Sequence, residues 1–210
     1  VTPKQNKSHL SPKTPNNPLI ECEFPPLQAL NKLGDGSSSS ARAVDDANID
    51  FSVKLANGLS GWVPFNTRSV CLLTSSSSSN ETVTKIRKKG KSCQHHSLRN
   101  GVPESPADVN IVVAPSSRQD YISASQMAES GSVVILVNAF AKDPKSVSEK
   151  ATFAYHQKPL TYNSQVVGYL MRSYPGDWQV IDVATRKALK SFSDTDILVR
   201  KTNTPALRES

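Results

Sequence analysis

The chain has 210 residues, 37% of them hydrophobic, and a formal charge of +7. That length suits one domain with tails, and the serine runs at 37–40 and 75–79 leave room for only a modest core. Cys22, Cys71 and Cys93 are too few and wrongly spaced for a disulfide framework or a zinc knuckle, and no apolar run reaches the roughly 18–20 residues that span a bilayer.

Residues 1–18 hold Lys, Ser, Pro and Asn but no acid, and read as a disordered tail of plastid-leader-like composition. "LIECEFPPL" (19–27) alternates apolar and acidic residues, as expected of a short strand ended by Pro25 and Pro26. In "SARAVDDANIDFSVKLANGLSGW" the stripe Ala43, Ala47, Phe51, Leu55 and Leu59, widened by Val44, Ile49 and Val53, predicts an amphipathic helix closed by Gly58 or Gly61. "RSVCLLT" (68–74) has strand length, and "NETVTKIRKK" (80–89) predicts a helix capped by Ser79 or Asn80. Residues 89–107 show no period and are read as loop. "DVNIVVA" (108–114) predicts a buried strand and "SSRQDYISASQMAESG" (116–131) a Ser-capped helix with Gly131 at its end. "SVVILVNAF" (132–140) is the most hydrophobic strand.

Apolar runs followed by helical patterns point to βα units and a parallel sheet. After residue 160 the rhythm changes. "QVVGYLMRSY" (165–174), "DWQVIDVAT" (177–185) and "KALKSFSD" (187–194), separated by turns at Pro175-Gly176 and Thr185-Arg186, predict an antiparallel meander. The expected fold is therefore α/β: a mainly parallel central sheet flanked by helices, extended by a C-terminal antiparallel meander, in one domain over 19–200 with a short tail over 201–210.

Parallel strands present their C-terminal ends on one edge, where ligands tend to bind. That edge carries Thr74 and Ser75 to Ser79, then Ser116, Ser117 and Arg118, then Asn138. Its hydroxyls and backbone N–H groups suit a weak anion site, though no Gly-rich loop, GK[ST] or GxGxxG accompanies them. No GxSxG is present, Glu21 and Glu23 are read as solvated carboxylates on one strand face, and Cys93, His95 and His96 lack further ligands, so no catalytic residue, metal or cofactor is expected. Lys85, Arg87, Lys88, Lys89 and Lys91 form the strongest electrostatic feature. Because the stretch lacks the aromatics that stack on bases, nucleic acid is unlikely; it is read as a solvated positive face or, as a partner-binding hypothesis, a face for an acidic protein or anionic lipid surface. Pro175 and Gly176 suit a type II turn. Trp178, Val180 and Val183 with Tyr169 and Met171 are then expected to line one covered face, and any exposed part of Trp178 or Tyr174 is a partner-docking anchor.

"EFPPL" (23–27), "DANIDFSVKLANGL" (46–59), "DVNIVVAPSSRQDY" (108–121), "VVILVNAF" (133–140) and "YPGDWQV" (174–180) occur in an order that resembles an uncharacterised domain family of cyanobacteria and plastids. That family includes the low photosystem II accumulation proteins and a domain fused to a plastid adenylate kinase. The resemblance implies a chloroplast protein of the stroma or stromal thylakoid face, a non-enzymatic assembly factor or accessory subunit of a photosynthetic complex. It offers no catalytic residues to carry over. The alternative from the residues is a small-molecule or nucleotide-phosphate enzyme using the serine-rich edge.

Overall fold

A computed structural model describes residues 19–25, 38–61, 68–139, 151–163, 165–199 and 204–205. The expected tail over 1–18 lies outside them, as does most of 201–210. Nine strands form one sheet in the order β3-β2-β4-β5-β1-β6-β7-β8-β9. Strands β1 (Leu19–Glu23), β2 (Val70–Thr74), β3 (Gln94–Ser97), β4 (Val109–Val113) and β5 (Val133–Val137) are mutually parallel where they pair, and β6 (Thr152–Tyr162) runs parallel to β1. From β6 onward the sheet is antiparallel through β7 (Gln165–Ser173), β8 (Trp178–Asp182) and β9 (Ala188–Phe192). The expected fold class is what forms.

Helix α1 (Ser38–Gly61) and helix α2 (Asn80–Lys89) cover one face of the parallel half. There Ile49, Val53, Ala56 and Ile86 pack on Leu72, Ile111 and Ile135. Helix α3 (Arg118–Glu129) covers the other, with Tyr121, Ala124 and Met127 against Leu73, Val112 and Leu136. Covering both faces is what lets β2, β4 and β5 be apolar at consecutive positions. The caps follow local chemistry. Ser79 Oγ accepts from Thr82 N–H at the start of α2, and Ser117 with Asp120 makes a reciprocal capping box on α3. Beyond α3, Gly131 takes φ +96°, which a residue without Cβ adopts freely.

Four expectations change before the meander proper. Residues 94–97, read as loop, form the edge strand β3 against β2, followed by a 3-10 turn at Leu98–Asn100. Residues 152–162, given no element, form the long β6. Its Pro159 lies beyond the stretch paired to β1, where the missing N–H costs no ladder bond on that side. The buried stripe of α1 centres on Asn48, Ile49, Ser52, Val53 and Ala56, with Phe51, Leu55 and Leu59 on its flank. Glu21 is 2% exposed instead of solvated, because β1 sits mid-sheet between β5 and β6.

The meander has its own small core of Phe153, Leu170, Trp178, Val180 and Ile197, the last on the single-turn helix α4 (Asp194–Ile197). Leu170 pairs with Val180 across β7 and β8, so the covered face of β7 is Gly168, Leu170 and Arg172, not Tyr169 and Met171. Val183 is exposed. The turn differs too: Tyr174–Pro175 is cis, Gly176 N–H donates to Ser173 O at 2.8 Å, and Gly176 is not among the positive-φ glycines. This is a type VI turn, not type II.

Candidate functional site

The chain leaves β2 towards α2 on one face of the sheet and leaves β4 towards α3 on the other. Adjacent strands whose exits diverge create a switch point, and a crevice opens between the two loops at the strands' C-terminal ends. Its volume is about 310 Å³. Ile49, Val113 and Ala114 give it an apolar wall; Asp45 and Asn48 of α1 and the hydroxyls after β2 give it polar ones.

The serine-rich edge comes together as expected in part. Ser75 Oγ lies 3.1 Å from Ser116 Oγ, Ser76 Oγ lies 2.8 Å from Ser117 Oγ, and Ser77 bonds Ser116. Sequence reading missed what they surround. The fully buried carboxylate of Asp120 accepts Ser75 O–H at 2.6 Å, Ser76 N–H at 2.8 Å, and the N–H groups of Ser116 and Ser117 at 3.0 Å each. Burial alone raises its pKa, but these hydrogen bonds outweigh burial and hold the carboxyl below its ordinary value of 3.8. The N–H groups at the start of α3 that would receive an external phosphate already serve an internal anion. Arg118 is exposed and does not line the crevice. Arg99 instead braces the loop, donating to Ser78 O at 2.8 Å and Ser76 O at 3.3 Å.

Asn138, at φ +49° after β5, is buried and reaches α1 rather than the serines. Phe24 N–H donates to its Oδ1 at 2.8 Å, and its Nδ2 donates to Asn48 Oδ1 at 2.7 Å. These contacts fix both amides, because a backbone N–H can only donate: the atom it meets on Asn138 must be oxygen, and so Asn48 must turn its own oxygen to Asn138 Nδ2.

The basic stretch lies on and just beyond α2, but its charges are not all available. Lys85 Nζ stands 3.0 Å from Asp46 and 3.1 Å from Glu81, and Lys89 Nζ 2.6 Å from Asp50. Hydrogen bonds to Asp46 and Glu81 raise the pKa of Lys85. Arg87, Lys88 and Lys91 are exposed and remain the outward cations. The sequence shows no acid between Glu81 and Glu104, yet α1 packs beside α2 and brings Asp46 and Asp50 to Lys85 and Lys89.

Trp178 is fully buried, T-shaped against Phe153 at 5.5 Å, with its Nε1–H donating to Asp194 Oδ1 at 2.7 Å. It is core, and is withdrawn from the partner-binding set. Tyr174 keeps 43% of its surface exposed. Arg172, 6% exposed, makes a two-pronged pair with Asp194, donates to Phe153 O at 3.1 Å, and stacks 5.3 Å from the Trp178 ring. His156, which has no neighbour in sequence terms, packs on Trp178 with Nδ1 3.5 Å from Glu23 Oε2. His95 and His96 meet the carbonyls of Gly90 and Gly101, and among the described residues no cluster suited to a metal occurs. Burial pushes the Cys22 and Cys71 thiols up to about 11, which makes them poor nucleophiles.

A helix-flanked, mainly parallel sheet with a crevice at its switch point and an antiparallel extension defines a mixed α/β domain. The chain belongs to the family described as Domain of unknown function (DUF1995), which matches residues 13–196. No curated protein and no solved structure matches it. Among the described residues no helix is long and apolar enough to cross a membrane.

Proposed function

We propose that this chain is a non-enzymatic accessory or assembly factor of a photosynthetic membrane complex, working on the stromal side of the chloroplast by docking to protein partners through its meander. The observation that carries the docking part is where apolar surface remains open. Of the six large hydrophobic side chains exposed among the described residues, Tyr162, Val167, Tyr174, Val183 and Leu189 all belong to β6–β9 and their turns. Tyr162 and Leu189 keep 69% and 68% of their surface in solvent. Tyr162, paired with Gln165 across the β6–β7 turn, and Val167, whose carbonyl accepts from Val183 N–H, bring three of them together at one end of the meander, and such grouping marks an interaction surface more than scattered exposure does. Exposed Arg186 and Lys187 in the turn between β8 and β9 follow Val183 closely in the chain, which fits a partner whose apolar patch is bordered by acids.

The photosynthetic setting rests on the ordered motifs from "EFPPL" to "YPGDWQV" and their resemblance to the low photosystem II accumulation proteins. Two measurements test the reading together. A fluorescent fusion of the full-length protein should enter the chloroplast. Affinity purification from native thylakoid and stromal extract should recover subunits of one photosynthetic complex with the wild type and lose them with the Tyr162→Ser/Val167→Ser/Leu189→Ser variant. Equal recovery by that variant overturns the meander as the docking face, and recovery of no photosynthetic subunit overturns the setting.

A further inference from the structure

The crevice between β2 and β4 holds a donor that the fold leaves unused. Asn48 is 1% exposed and lines the crevice, and its Nδ2 has no hydrogen-bond partner. The amide cannot be relieved by turning over, since Asn138 already requires Asn48 oxygen on its side. A buried amide N–H left unmade costs about 1–3 kcal/mol, and a polar group held that way beside a crevice has the arrangement of a ligand contact waiting for an acceptor. The backbone adds to this. Ala114, in the wall, sits at φ +47°, a region that costs a residue with Cβ roughly 1–2 kcal/mol, and such outliers gather at functional sites.

The electrostatics select the ligand. Asp45, exposed on α1, lines the crevice, and the Asp120 carboxylate stands behind the serines. Among the described residues no cation lines the crevice, and Lys85 and Arg99 are engaged elsewhere, Lys85 with Asp46 and Glu81 and Arg99 with the loop carbonyls. A phosphate would accept from Asn48 but be repelled by Asp45 and find the α3 N–H groups taken. An ammonium would suit Asp45 but has no lone pair for Asn48. A hydroxyl both donates and accepts, so a molecule bearing several satisfies both walls at once. A volume of about 310 Å³ is at the small end of the ~300–1,000 Å³ range of ligand pockets, which fits one sugar-sized molecule. The larger depression at the opposite edge, about 460 Å³ around Asp108, does not compete, because Asp108 is already paired with Ser69 N–H and O–H at 2.8 Å each.

We propose that the switch-point crevice binds a small uncharged polyhydroxylated molecule, with Asp45 and the serine hydroxyls accepting from its hydroxyl groups and Asn48 Nδ2 donating to one of its oxygens. The site is separate from the docking face, and none of the residues tested here lies on the meander. The test is a ¹H–¹⁵N NMR titration of the full chain with D-glucose and myo-inositol as neutral probes and glucose 6-phosphate and putrescine as charged ones. At least one neutral probe should shift the Asn48 side-chain amide and the backbone amides of Ser77, Ser78 and Ala114 saturably, and bind more tightly than either charged probe. Removing the charge-assisted acceptor in Asp45→Asn should weaken that binding roughly tenfold or more, with the rest of the spectrum unchanged because Asp45 is exposed. Ser77→Phe, which puts a ring at the mouth, should abolish it. Absence of a saturable shift with both neutral probes, tighter binding of either charged one, or unaltered affinity in Asp45→Asn overturns the proposal.

Discussion

Strands β2 and β4 are buried at all five positions, whereas β9 is exposed at four of five. The two ends of one sheet thus meet water differently. The parallel half is sandwiched between α1 and α2 on one side and α3 on the other, and its stability comes from two apolar layers. The meander has one small core, closed by α4 and by polar contacts around Asp194. The difference teaches where each kind of function can sit. A two-sided half hides both faces of its sheet under helices, and its diverging loops make a crevice. A half covered mainly on one side has no crevice of that kind and leaves apolar area free for a partner.

Trp178→Ala is the sharpest way to break the comparison, because the indole is central to the small core and absent from the large ones. Truncating a buried Trp costs about 3–5 kcal/mol. Urea melts should show that loss. Hydrogen exchange should show it falling first on β7 and β8 while β2, β4 and β5 stay protected. A uniform loss of protection across the sheet would mean that the halves are one cooperative unit.

Asp120→Ala strikes the other half. It leaves four donors without their acceptor in a buried place, at about 1–3 kcal/mol for each that water does not reach. Its pH dependence has a definite sign. The folded pKa lies below the ordinary 3.8, so the contribution is fully present above about pH 4 and is lost as the pH falls through the folded value. Stability measured against pH should therefore show wild type and Asp120→Asn converging on the acid side. A constant gap down to pH 2 would exclude the carboxylate as the charged hub of the serine loop.

Gly168→Ala tests how closely β7 and β8 approach. A Cβ there would stand 2.8 Å from Ile181 O, a backbone atom that cannot swing away. Overpacking of this kind costs about 1–3 kcal/mol. The loss should appear as a lower urea midpoint with exchange confined to the meander. An unchanged midpoint would show that the hairpin has slack.

The parallel half was legible in the sequence because its signals are local. "VCLLT", "NIVVA" and "VVILV" are apolar at consecutive positions, and Ser79 and Ser117 cap helices within four residues of themselves. What escaped was set by partners distant in sequence. "QHHS" becomes a strand only because β2 offers it a ladder, and nothing apolar announces it. The covered face of β7 depends on Leu170 meeting Val180, a register that a turn of another type would have shifted. Asp120 reads as a plain N3 helix acid until the loop after β2 arrives 45 residues away in sequence. Asn48, outside the apolar stripe read for α1, is buried where Asn138 at the end of β5 donates to it.

The smallest expected effect separates two kinds of lysine that sequence alone treats alike. Lys89 is paired with Asp50 on α1, and an exposed pair of this sort is worth about 0.2–1 kcal/mol. Lys89→Gln should lower the melting midpoint slightly and leave association with a partner unchanged. Arg87, Lys88 and Lys91 point outward, so Arg87→Gln/Lys88→Gln/Lys91→Gln should leave the midpoint alone. If these three steer the protein to an acidic surface, the triple variant should bring its association rate down towards the ~10⁵–10⁶ M⁻¹s⁻¹ of unsteered encounter and flatten its salt dependence. On the proposed docking mode, with lasting apolar contacts on the meander, dissociation should barely change, because charges farther off than about 8 Å are largely screened at physiological salt. Stopped-flow association at several ionic strengths reads both terms. A triple variant that associates as fast as the wild type, with the same salt slope, would leave α2 a structural helix alone.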